Sequence, residues 1–269
     1  MTSPHEYLEL TSLLAPSLIT AAATGVAASV IGVFVLLRRE ALVALAMPHT
    51  VAVGAAIGLR MGWPGLPPAL GAVLIAVLLL ARAKRRGTGH WLLPALYVAG
   101  LSLSFLIIAN SGQHVAELQA LFTGIDVAVS PAQAWLAAPV LLAAALACAV
   151  LWRRWLLLSQ APAMAEVAGL RTGRWELGFL CLLALVLLVG TNALGALMVI
   201  AMLFLPAAAV LPWARRVPTA LAGAAGLSLL FLLGGLVLSV EWNLPLSQSV
   251  GGVGFVAMIV LHLAARVCG

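Results

Sequence analysis

The chain has 269 residues, 64% of them hydrophobic and 8% charged, with 14 Lys and Arg against 8 Asp and Glu and a net charge of +6. A soluble domain is about 45 to 50% apolar and about 25% charged, so this charge supply cannot coat a globule of this size, and lipid must be the solvent for most of it. The basic balance by itself would suit nucleic acid, but the bases, Arg everywhere except Lys84, fall in small groups between apolar runs and read as orientation signals rather than a binding patch.

In chain order, the first ten residues carry Glu6 and Glu9 and no base, unlike the positive start of a cleaved signal peptide, and the chain is read as mature from residue 1. A helix rises about 1.5 Å per residue and needs about 20 apolar residues to cross the hydrocarbon layer. That rule predicts nine spans, over 14–37, 41–59, 64–83, 92–109, 131–152, 177–191, 194–213, 218–240 and 249–265. The fold class is therefore all-α, a polytopic membrane helical bundle. Small residues at packing distance, such as Gly25 with Ser29 and Gly54 with Gly58, point to close helix approach.

The second span holds His49 in the sequence AMPHTVAVG, after Pro48 and before Gly54. Ionisable groups at membrane depth are costly and mark substrate paths. The alternative is an imidazole satisfied by a neighbouring backbone or hydroxyl group.

Two connections exceed a simple turn. The first, 110–130, has a polar start and a short apolar piece around 118–124, too short to span and suited to a re-entrant or interfacial helix. His114 and Glu117 stand there at i, i+3, a spacing that puts both on one helix face. That pair, with Asp126 and Glu241, either supplies ligands at an outer vestibule or is a solvated face.

The second connection, 153–176, reads RRWLLLSQAPAMAEVAGLRTGRWE. Pro162 can start and Gly169 end a short helix, which is either a docking element or an amphipathic surface helix. Further on, Pro206 lies inside the seventh span and breaks a backbone hydrogen bond there. Cys148, Cys181 and Cys268 have no CxxC spacing and read as packing residues.

With the N-terminus outside, 13 of the 14 bases fall inside and Arg60 alone falls outside. The positive-inside rule thus predicts an outer N-terminus and a cytoplasmic C-terminus. The sequence contains no GxxxxGK[ST], HExxH or GxSxG, so it gives no support for nucleotide hydrolysis, zinc proteolysis or hydrolase chemistry. It reads as a conduit.

Three stretches carry a family resemblance. Residues 32–54, GVFVLLRREALVALAMPHTVAVG, contain a Gly-x-Phe, the double Arg of Arg38 and Arg39, and His49 ten residues later, ahead of Gly54. Residues 195–208, GALMVIAMLFLPAA, hold Gly195 and Pro206, and between the two stretches lie Pro162, Ala165, Glu166, Gly169 and Arg171. In this order they resemble the zinc/manganese/iron (ABC-3 type) permeases of bacterial metal-ion ABC importers.

The resemblance implies one permease domain over 1–269 with a cytoplasmic coupling segment at 153–176, in the bacterial inner membrane. It implies import of a divalent cation by alternating access. The implied partners are a second copy of the chain, separate cytoplasmic ATPase subunits that bind ATP, and an extracytoplasmic metal-binding protein, with membrane lipid around them and no nucleic acid. The chain is then a transport subunit, not an enzyme, with no covalently bound cofactor.

The departures concern the cation path. Where the family has an Asp four residues before the His, this chain has Leu45, and the family's Asp-Pro-Glu is Ala161, Pro162 and Ala163 here. A carboxylate-poor path favours borderline cations and so zinc over manganese. Two other readings remain open at this stage, a permease for a metal chelate or siderophore and a non-transporting membrane scaffold.

Overall fold

The computed structural model describes residues 15–85, 89–109, 114–124, 129–167 and 169–268, and among them there are helices and no strand. The helices are α1 (Ala15–Leu37), α2 (Ala41–Met61), α3 (Leu66–Arg85), α4 (Gly89–Ile108), α5 (His114–Thr123), α6 (Pro131–Gln160), α7 (Pro162–Val167), α8 (Thr172–Leu194), α9 (Ala196–Val210), α10 (Val217–Trp242) and α11 (Leu246–Cys268).

Seven of them, α1, α2, α3, α6, α8, α10 and α11, are long and apolar enough to cross a membrane, while 92–108 and 196–210 form shorter apolar helices. Each of the nine expected segments is thus helical, and of these α9, with 15 residues, falls short of the length for a straight crossing. Burial ranks the long helices: 78% of the apolar window of α1 and 72% of that of α2 are enclosed by protein, against 11% in α11. α1 and α2 are central and α11 is peripheral.

α1 packs on α6, α8, α9 and α10, and α2 on α3, α4 and α8. The hydroxyls buried in α1 are satisfied within the helix, as Thr20 donates to the Pro16 carbonyl at 2.8 Å and Thr24 to the Thr20 carbonyl at 2.7 Å. Backbones approach closely where side chains vanish. A Cβ on Gly32 would lie 1.9 Å from the Leu203 carbonyl oxygen, and one on Gly54 would lie 2.3 Å from the Ala69 Cα. The apolar core gathers Ile31, Phe34, Leu141, Phe179, Leu183 and Leu187, all fully buried.

The boundaries differ most in α6. It is expected to stop at 152 but runs to Gln160, because Arg153 and Arg154 stay exposed while Trp155, the next residue, and Leu158, one turn on, are buried. Long basic side chains can cover apolar surface and keep their heads in water: Arg153 lies over Trp152 at 5.4 Å and Arg154 over Trp175 at 4.8 Å. Ser130 opens α6 with a capping box, accepting from the Gln133 N–H at 3.3 Å while the Gln133 side chain accepts from the Ser130 N–H at 3.1 Å. Of the 153–176 segment, residues 153–160 belong to α6 and 172–176 to α8, leaving the six-residue α7 between them. Gly195 separates α8 from α9 at φ 84, ψ 157, a conformation reserved for glycine, and packs its backbone on Gly124.

Candidate functional site

His49 is carried on α2 at the middle of the bundle and is 8% exposed. Its Nδ1 is buried and has no hydrogen-bond partner. The hydroxyl beside it does not serve it, since Thr50 donates to the Met47 carbonyl at 2.7 Å.

Aromatic rings surround the imidazole. Tyr97 of α4 meets it edge-on at 4.5 Å between centroids and 87°. Phe122 of α5 lies tilted against it at 5.4 Å and 32°, and stacks in turn on Phe105 at 5.6 Å. Gly100 lets α4 come this near, because a Cβ there would lie 2.8 Å from the Cβ of His49. One helical turn back stands half-buried Leu45. Among the described residues no group of three or more His, Cys, Asp and Glu side chains comes together. The site is one nitrogen donor flanked by the rings of Tyr97 and Phe122.

Of the other expected ligands, Glu241 alone has a described side chain. α5 begins at His114 and includes Glu117, so the expected helix exists and packs on α2, α4 and α9, while both side chains and the whole of Asp126 lie outside the described residues. Glu241 is exposed in the last turn of α10, which packs on α1, α9 and α11.

In the coupling segment, Ala165 is fully buried between α6 and α8, and its carbonyl accepts from the Leu170 N–H at 3.0 Å. Gly169 has φ +76, fitting its expected place as the stop after α7. Arg171 is exposed at the start of α8, and the side chains of Pro162 and Glu166 lie outside the described residues. Pro206 is buried within α9.

The double Arg divides its roles. Arg39 is exposed at φ 56, whereas Arg38 enters an ionic cluster. Its Nε meets Glu40 Oε1 at 3.0 Å and its Nη2 meets Glu176 Oε2 at 2.5 Å. Lys84 Nζ bridges the same two acids at 2.7 and 2.5 Å. Burial disfavours the Arg38 charge, but Glu40 and Glu176 outweigh it and raise the guanidinium above its ordinary pKa. Sequence reasoning missed this cluster and the aromatic wall, because Arg38 and Glu176, like His49 and Phe122, come from distant parts of the chain; the one available signal was an acid, Glu176, next to an apolar run.

A family profile described as the ABC 3 transport family matches residues 11–267. The chain is 25% identical over 243 residues to the manganese import system permease protein ScaB of Streptococcus gordonii, covering 87% of this chain and 84% of that protein. It is 26% identical over 241 residues to the manganese transport system membrane protein MntC of Halalkalibacterium halodurans, covering 89% and 82%. Its fold is similar to that of PsaBC from Streptococcus pneumoniae in complex with Fab, with a TM-score of 0.84 at 19% identity over 96% of this chain and 95% of that one. An inward-facing metal-chelate type ABC transporter gives a TM-score of 0.69 at 17% identity over 98% and 90%.

Proposed function

This chain belongs to the ABC 3 transport family, and from that membership we propose that it carries a divalent metal cation into the cytoplasm past His49. It is a permease of a metal ABC transporter and a multi-pass protein of the bacterial inner membrane. The observation that carries the role of His49 is its buried, unpartnered Nδ1 among aromatic faces on a central helix. A neutral imidazole without a hydrogen bond has a lone pair to offer, and an enclosed polar atom is costly unless something binds it.

In this reading the whole chain is one permease domain, with the N-terminus outside. Two copies form the path, a metal-binding protein delivers the cation at the outer face, and ATPase subunits bind at α7. ATP hydrolysis belongs to those partners, in keeping with a sequence that contains no phosphate-binding loop. His114, Glu117, Asp126 and Glu241 are the candidate outer ligands.

The relatives named above are manganese permeases by name, but the surroundings of His49 in this chain favour a borderline cation. Leu45 offers no oxygen where the resemblance expects a carboxylate, and imidazole suits zinc better than it suits manganese. The test is uptake of radiolabelled zinc and manganese by the complex reconstituted with its ATPase and binding protein. His49→Ala should lower zinc uptake about tenfold or more with the complex still assembled, and undiminished uptake removes His49 from the path. Manganese moving faster than zinc at equal saturation of the binding protein overturns the metal preference alone.

A further inference from the structure

We propose that Arg38, Glu40, Lys84 and Glu176 are positioning residues that relay movement of α7 to His49. The inference rests on the reading of the chain as an ATP-driven permease and concerns how its two working parts are joined.

All four lie at the end of the bundle that carries α7. Glu176 is in the second turn of α8, the helix that follows α7, and Lys84 is in the last turn of α3. Arg38 and Glu40 form the corner between α1 and α2, with Glu40 immediately before the first residue of α2. From that residue to His49 is eight positions of helix, about 12 Å. A displacement of the corner is therefore carried along α2 to the imidazole, by way of Pro48, the one position before it where the helix lacks a backbone donor.

α7 reaches the corner by two routes. One runs through α8, whose Glu176 holds both Arg38 and Lys84. The other runs through α6, whose Trp155 meets Phe179 edge-on at 5.7 Å and 73°, while Arg38 lies over the same Phe179 ring at 4.5 Å. The two helices that flank α7 thus converge on one guanidinium.

The chemistry suits a relay better than a simple fastening. Side-chain exposure is 5% for Arg38, 13% for Glu40, 25% for Lys84 and 27% for Glu176. Ions this enclosed lose much of their hydration, and apolar residues would fasten the same helices as well. What the charges add is coupling, because each acid is shared by both bases and the shift of any one member alters the contacts of two others. The cluster is also incompletely satisfied, with Arg38 Nη1 and Glu40 Oε2 buried and unpartnered. Those two atoms have partners to gain in a second arrangement. A cavity of about 320 Å³ lined by Ala81, Lys84, Thr172, Gly173 and Glu176 leaves room for the lysine and the glutamate to shift.

The experiment measures metal moved per ATP hydrolysed in the reconstituted complex. Glu176→Gln and Lys84→Met should each lower that ratio about fivefold or more while ATP hydrolysis continues, and Lys84→Arg should keep it near the wild-type value. A structural role alone would reduce uptake and hydrolysis together as less complex assembles, leaving the ratio unchanged. An unchanged ratio in both charge-removing variants, or an equal fall in Lys84→Arg, overturns the relay. If Glu176→Gln does not assemble, Lys84→Met decides by the same ratio. A wild-type complex that hydrolyses ATP but moves no metal overturns the transport reading instead, before any variant is compared.

Discussion

A methyl group at position 100 would sit 2.8 Å from the Cβ of His49 and 3.0 Å from its carbonyl carbon. Both neighbours are on or next to a helix backbone and cannot rotate away, so α4 has to retreat from α2 to admit it. Gly100→Ala is therefore expected to cost about 1–3 kcal/mol of stability and to draw Tyr97 away from the imidazole. Thermal unfolding of the purified protein checks the first effect and zinc uptake the second. Gly71→Ala on α3, where a Cβ meets nothing within 4 Å, should instead raise stability by about 0.4–1 kcal/mol, because alanine loses less backbone freedom than glycine on entering a helix. That His49 is a lone ionisable group in an apolar span is legible in the sequence. Tyr97 and Phe122 are not, because an aromatic residue in a membrane helix looks the same whether it faces lipid or an imidazole.

At the scale of elements, α7 has six residues and no stability of its own, since helices this short form only when held by their surroundings. Ala165 provides that hold by packing fully buried where α6 gives way to α8. Ala165→Leu should lift α7 from its seat and weaken co-purification of the ATPase subunits, while the permease still reaches the membrane. Unaltered co-purification would mean that the partner binds elsewhere. The Pro162 and Gly169 signals made this short helix readable from sequence. The true end of α6 was hidden for an electrostatic reason: Arg153 and Arg154 look like the start of a loop but stay on a helix that continues beneath them. The shortness of α9 was hidden too, because the apolar run 194–213 gives no hint that Gly195 and the turn after Val210 trim it to 15 residues.

For the whole molecule, apolar run lengths were enough to read an all-helical membrane bundle, and a few quoted stretches were enough to read the family. Which helices are central was not readable, because α1 and α11 have similar hydropathy, 2.1 and 1.9, and opposite burial. Orientation is open to direct measurement. In a variant without the three native cysteines, a cysteine at exposed Trp63 should react with an impermeant maleimide from outside intact cells. One at exposed Trp213 should react only after permeabilisation, and the reverse pattern overturns the outer N-terminus.

That orientation gathers thirteen bases on the cytoplasmic face, and a cation released there would face a repulsive potential. The cluster at the foot of α2 holds two positive and two negative side chains within direct contact of one another, so its net charge is zero. On the proposed orientation Arg38 and Lys84 are thus balanced by Glu40 and Glu176 and add no net charge to that face, at the foot of the helix that carries His49.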